Sequence, residues 1–338
     1  MTVARTREIW VDAVKGLACG LVAAGHGFQG LVAAGLMDAS VPWTWFNDSI
    51  YCFHVQLFFL CSGYLWQRYG RSSGMPEHAR AALGKIWLLG VPYVFFTVLS
   101  WVLKRLCAAW VNHGAGGLFR SLFVEPIAPY WYLAALALLF VLLPRMPGAR
   151  AWMVLAAAAT AAKAAGIAFG SAAWCFPART VAQNAFWFAA GMGLAFRDAG
   201  VLRSRAMRRA GSLCGLAFLA GTAVLAHGGI PMYGWVRWGL GLLACAAVLV
   251  WAAGRTRAGF WEWMGRNALP IFLMHTLFAS AIRMGLLALG VRSPWLHVPA
   301  MFAASVAGPL AAMNLMERMR LDGLLDPRRR QARHGLRA

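Results

Sequence analysis

A chain of 338 residues that is 61% hydrophobic and only 13% charged, with a mean hydropathy of +0.60, carries more apolar side chain than a soluble domain of this size buries. Its net charge of +21 raises nucleic acid as a partner, but the 32 Lys and Arg residues sit in short gaps between apolar runs and build no soluble basic domain. Composition therefore points to an all-α integral membrane protein with the lipid bilayer as its first partner, and excludes a nucleic-acid-binding module.

About ten runs reach the ~20-residue length that crosses a bilayer. They fall near 14–36, 46–67, 86–106, 129–144, 151–169, 180–196, 210–227, 235–253, 268–290 and 298–316. Placing both termini in the cytoplasm puts 24 Lys and Arg residues in the inner segments and six in the outer ones, with Lys163 and Arg283 inside spans. That asymmetry predicts ten transmembrane helices with N- and C-termini cytoplasmic. Residues 1–317 then form a single transmembrane domain and 318–338 a polar, mobile basic tail suited to anionic headgroups. The first apolar run is long and continuous, so no cleavable signal is expected. The seven cysteines show neither CxxC nor metal-ligand spacing, and most lie in apolar runs as small packing residues. No metal is expected.

Chemistry-bearing residues begin in the first run. Asp12, Lys15, Cys19 and His26 share one helical face, and Lys15 to His26 is three turns, roughly 16 Å. Ionisable groups in a span are costly and mark function. With the predicted orientation, Asp12 and Lys15 sit at the cytoplasmic mouth and His26 beyond the midplane, so the stripe reads as a conduit between the two sides.

The second run carries His54 near its outer end and Ser62–Gly63–Tyr64 toward its inner half. Small residues there let a neighbouring helix approach, and packing with an interfacial aromatic is the favoured account of the triplet. The fourth run opens with Pro129–Tyr130–Trp131–Tyr132, for which an aromatic belt is the structural alternative. The ninth is preceded by Gly265–Arg266–Asn267 and carries His275. Asn267 is a plausible cap for it, and Arg266 with free amides at a helix start suits an anionic ligand from the cytosol. Three histidines within spans, alongside Asp12 and Lys15, favour a buried polar site over isolated satisfied residues.

These elements together resemble the acyltransferase-3 family of membrane proteins, in its fucose 4-O-acetylase-like branch. The resemblance rests on Trp10-x-Asp12-x-x-Lys15-Gly16, Gly25-His26, Phe53-His54-x-x-Leu-Phe-Phe-x-x-Ser62-Gly63-Tyr64, Trp131-Tyr132-Leu133 and Gly265-Arg266-Asn267-x-Leu-Pro-Ile-x-Leu-x-His275, in order over residues 10–275. Lys15 replaces the commoner Arg, Ala268 the usual Ser and Phe272 the usual Tyr. The resemblance implies an O-acyltransferase of the bacterial inner membrane, moving acetyl from acetyl-CoA to a hydroxyl of an exported or surface carbohydrate.

The residue chemistry agrees with that implication. A sugar hydroxyl needs a base poised near neutral pH, and histidine supplies one. His26 is the expected base, with an acyl-His26 intermediate left open. Lys15 is the expected holder of donor phosphates, oriented by Asp12, with Arg68, Arg266, Asn267 and His275 on the donor side. His54, Tyr130 and Trp131 fall on the acceptor side. A transporter or flippase for a glycolipid or anionic substrate, with the histidines as a proton relay, is the alternative.

Overall fold

The computed structural model describes residues 7–38, 40–70, 74–107, 114, 116–197 and 199–328. Among these, the regular structure is helical throughout: α1 (Ile9–Ala33), α2 (Val41–Tyr51), α3 (His54–Arg68), α4 (Met75–Leu106), α5 (Trp131–Leu142), α6 (Ala149–Ala168), α7 (Phe176–Leu194), α8 (Ala199–Leu202), α9 (Arg205–His227), α10 (Gly234–Ala253), α11 (Phe260–Arg266), α12 (Ala268–Ala288) and α13 (Pro294–Arg318). Seven of them, α1, α4, α6, α9, α10, α12 and α13, are long and apolar enough to cross a bilayer.

Each predicted run coincides with helix, but lengths and continuity differ. The run at 46–67 is broken after Tyr51, because Phe53 leaves helical geometry at φ −144° and ψ −20°. The Ile50 carbonyl freed there accepts the Phe53 amide at 3.1 Å and His54 Nδ1 at 2.6 Å, so the break leaves no orphan acceptor. The run at 86–106 belongs to a 32-residue helix, α4, that begins at Met75. Helix α5 has 12 residues, short of the ~20 that span hydrocarbon.

The beginning of the predicted tail is folded. A 3₁₀ turn at Asp322–Leu324 follows α13, and Leu325 is buried in the main core. Arg329, Arg330, Arg333 and Arg337, like Arg5 and Arg71, lie outside the described residues.

Helix α1 is the central element, packed on α3, α11, α12 and α13. Helix α12 runs parallel to it, since Cys19 meets Ala268, His26 meets His275 and Gly30 meets Arg283. The α2–α3 pair runs the other way, with Tyr51 bonded to Gln29 and Tyr64 to Glu8. The bundle thus has an Asp12 end and a Gln29 end. Arg145, stacked 3.6 Å from the Trp66 ring, and Arg203, bonded to the Ala253 carbonyl, lie at the Asp12 end.

Glycines set how closely these helices approach. A Cβ on Gly16 would overlap the Trp261 carbonyl, and one on Gly265 the Asp12 carbonyl, so α1 and α11 touch backbone to backbone. Gly63 and Gly191 do the same for α3 and α7, against the Phe188 and Leu60 carbonyls. Gly63 in the Ser-Gly-Tyr triplet is therefore a helix-packing residue.

Candidate active site

At the Asp12 end, acids tie α1 to its neighbours. The Glu8 carboxylate accepts the hydroxyls of Tyr64 and Tyr69 and the indole N–H of Trp10. Asp12 accepts Arg7 Nε and Nη2, and Arg266 Nε lies 3.9 Å from it. Asp12 is thus paired with two arginines and does not orient Lys15, as the sequence spacing had suggested. Lys15, half-buried one turn further on, forms no hydrogen bond or salt bridge with a described residue. Arg68 is exposed at the end of α3. A small cavity of about 170 Å³ lies here between Trp10, Tyr64, Arg197 and Arg203.

Beside the Lys15 turn, α11 is locked by an ion pair between the buried Glu262 and the half-buried Arg255. Glu262 also accepts the Gly259 amide at 2.7 Å, satisfying a free donor at the helix start. Burial pushes the Glu262 carboxyl up, but the Arg255 guanidinium and backbone amides outweigh it and hold it below its usual value. Asn267 does not cap α12 through its side chain. Its Nδ2 instead donates to the Trp263 carbonyl at 2.9 Å, closing the end of α11.

The histidines gather at the other end of the bundle. The rings of His26 and His275 are 5.3 Å apart, and His26 forms no hydrogen bond with a described residue. His275 is 1% exposed, and its Nδ1 lies 2.9 and 3.1 Å from the Phe272 and Ile271 carbonyls. A carbonyl can only accept, so Nδ1 carries the proton and Nε2, which has no partner, carries the lone pair. His54 is fixed the same way by the Ile50 carbonyl. His275 therefore sits behind His26, away from the cytosol-facing donor position expected from its sequence context.

Two cavities meet at His26. The larger, about 680 Å³, is lined by His54, Trp131, Tyr132, Lys163, Arg237 and Trp238 among others. That volume is within the usual ~300–1,000 Å³ of small-molecule sites. The second, about 420 Å³, is walled by Leu103, Leu277, Met284 and Met301, with Lys104 and Arg283 at its polar positions. His26, Gln29 and Ala128 line both.

The conduit expected along α1 is closed in this structure. Between Lys15 and His26, Cys19 is buried with its thiol against the Ala268 carbonyl, and Val22 is in the core. Nor does Tyr130 lie in an interfacial belt. It is fully buried, its hydroxyl between Ser100 Oγ at 2.8 Å and the Leu273 carbonyl at 3.1 Å. Trp131 does reach the larger cavity, while Ser62 Oγ pairs with the Tyr132 hydroxyl at 3.3 Å. The sequence reading missed Arg197 and Arg203 at the Asp12 end and Lys163, Arg237, Gln183 and Asn184 at the other. Lys163 alone carried a signal, as a cation inside an Ala-rich run.

The geometry defines a multi-helix membrane protein whose cavities converge on one histidine of its first helix. A family model described as an acyltransferase domain matches residues 8–314, and the chain belongs to the acyltransferase-3 family of acyl-transferring enzymes. It is similar to the nodulation protein NolL of Mesorhizobium japonicum, with 31% identity over 141 residues, which cover 40% of this chain and 35% of that protein. The matched stretch thus spans about a third of the length of this curated relative. No solved structure matches the chain.

Proposed function

We propose that this protein is an O-acyltransferase that moves acetyl from cytosolic acetyl-CoA to a hydroxyl of an exported or surface carbohydrate at the bacterial inner membrane. The observation carrying this reading is the place of His26, a ring free of hydrogen bonds to described residues at the junction of two cavities. In this reading the chain crosses the bilayer ten times with both ends cytoplasmic. The Asp12 end, where Arg145, Arg203, Arg255 and Arg266 cluster, then faces the cytosol. Residues 1–317 form the catalytic domain.

His26 takes the proton of the acceptor hydroxyl as its oxygen adds to the acyl carbon, and returns it to the thiolate released when the carbon–sulfur bond breaks. The unprotonated Nε2 of His275, on a ring 5.3 Å from that of His26, can accept an N–H of His26 as the rings adjust, leaving the opposite nitrogen of His26 as the base. Phosphates of the donor are held at the opposite end by Lys15, unpaired among the described residues, with Arg68, Arg197 and Arg203 near the same mouth. Passage of the donor's arm to His26 requires the packed seam at Cys19 and Val22 to open.

Transfer of radiolabel from acetyl-CoA to glycan, in membranes whose only source of the activity is this protein, tests the reading. A folded His26→Ala variant loses transfer, whereas retention at the wild-type rate sinks the assignment. Lys15→Ala raises the KM for the donor more than that for the acceptor, and the reverse order rejects the phosphate role.

A further inference from the structure

The larger cavity is electrically one-sided. Lys163 projects into it from α6 and Arg237 from α10, and these like charges act on each other across the space. None of its lining residues is Asp or Glu; Asp48, on α2, acts on Cys52 from outside the lining. Lys163 Nζ donates to the Gln183 carbonyl at 3.2 Å and has no carboxylate partner among the described residues. Arg237 lies beside the Cys52 thiol and forms no salt bridge among them.

Several donors in this wall are also unspent. Arg237 Nε and the indole N–H groups of Trp187 and Trp238 are buried without a partner among the described residues, and all three residues line the cavity. Two cations and no acid in its lining make the cavity a receptor for negative charge. The same wall carries aromatic faces at Trp131, Tyr132 and Trp238, which suit the C–H faces of a sugar ring.

We infer that the acceptor bound in this cavity carries an anionic group, a carboxylate or a phosphate, seated between Lys163 and Arg237 so that a sugar hydroxyl reaches His26. This rests on the reading of His26 as the site of transfer, and extends it to the class of acceptor. Neutral glycans leave both cations unpaired in a partly dehydrated pocket and bind less tightly.

Binding to the full-length protein in nanodiscs tests the inference with defined probes: a glucuronic acid oligosaccharide, its uncharged methyl ester, and glucose 1-phosphate beside glucose. The uronate is expected to bind at least about tenfold more tightly than its ester, or the phosphate than glucose, one charge-assisted contact being worth a factor of that order. Whichever pair shows the preference identifies the anion. Lys163→Gln with Arg237→Gln removes the preference, and Lys163→Arg with Arg237→Lys restores it. His26→Ala abolishes transfer yet keeps the preference, so failure of the catalytic reading shows as retained transfer and failure of this one as lost discrimination. Equal affinity for charged and neutral members of both pairs overturns the inference. So does a preference that survives the double glutamine variant, or loss of acetyl-CoA binding in that variant with anion preference intact.

Discussion

Replacing Gly16 by Ala tests how the Lys15-bearing turn is held. The added Cβ would overlap the Trp261 carbonyl oxygen and sit 2.9 Å from the Gly265 amide nitrogen. Both neighbours are backbone, so no side chain can swing aside, and α1 must part from α11 by on the order of 1 Å to restore ordinary contact. Overpacking of this kind costs about 1–3 kcal/mol. Lys15 and Asp12 ride on the same turn, and a displacement of about 1 Å can lower a positioned reaction about 100-fold. Gly84→Ala is the control, because its Cβ meets open space on α4 and a helical Gly→Ala change there gains up to about 1 kcal/mol. Thermal unfolding in nanodiscs and initial rates of label transfer measure both effects. Gly16→Ala behaving like Gly84→Ala in both assays would refute the backbone-contact argument.

Tyr64→Phe removes a hydroxyl 2.7 and 2.8 Å from the two Glu8 oxygens, and is expected to lower stability by about 1 kcal/mol in the same melts. Glu262→Gln leaves the part-exposed Arg255 facing a neutral partner, with an expected loss of about 2 kcal/mol. Because the Glu262 pKa is held below its unfolded value, its stabilisation is present above the usual carboxylate pKa of about 4.3 and is lost as pH falls through the folded value. A melting profile of Glu262→Gln that declines as steeply in acid as the wild type would show that another group governs that limb. His275→Ala is expected to reduce kcat with little change in either KM and to alter the pH–rate profile, as suits a residue acting through His26. Unchanged kcat and pH profile would remove it from the mechanism.

Much of the architecture was legible because lipid imposes a simple rule: long apolar runs with basic gaps are helices. Gly63 was readable as a close-approach residue for the same reason, since small residues are what let helices touch. The break at Phe53 was not legible, as no Gly or Pro lies near it and the device that satisfies it, the ring of His54, is a side-chain bond. Asp12 looked like a partner for Lys15 because both lie on one helix. Its actual partners, Arg7 and Arg266, come from outside that stripe, one of them through the folding of α11 onto α1. Lys163 and Arg237 face one cavity only because α6 and α10 are brought together by the fold, and nothing in their local sequence announces it.

The three histidines of the core differ in a way that their sequence contexts conceal. Burying an imidazole is tolerable when a ring nitrogen finds a fixed partner, and His54 and His275 each find one in a carbonyl of their own chain segment. Those bonds freeze the tautomer, leaving each ring with a lone pair and no freedom to trade nitrogens without breaking the contact. Among the described residues no carbonyl tethers His26, whose ring lies at the junction of the cavities. A proton shuttle must change protonation state twice in each cycle, so the untethered ring is the one suited to the task. His54 and His275 frame it: one presents a lone pair in the cation-lined cavity, the other supports His26 from the buried side. In the proposed reaction Lys15, three turns away behind a packed seam, stays out of the proton transfer, and the two halves of that reaction are divided along a single helix.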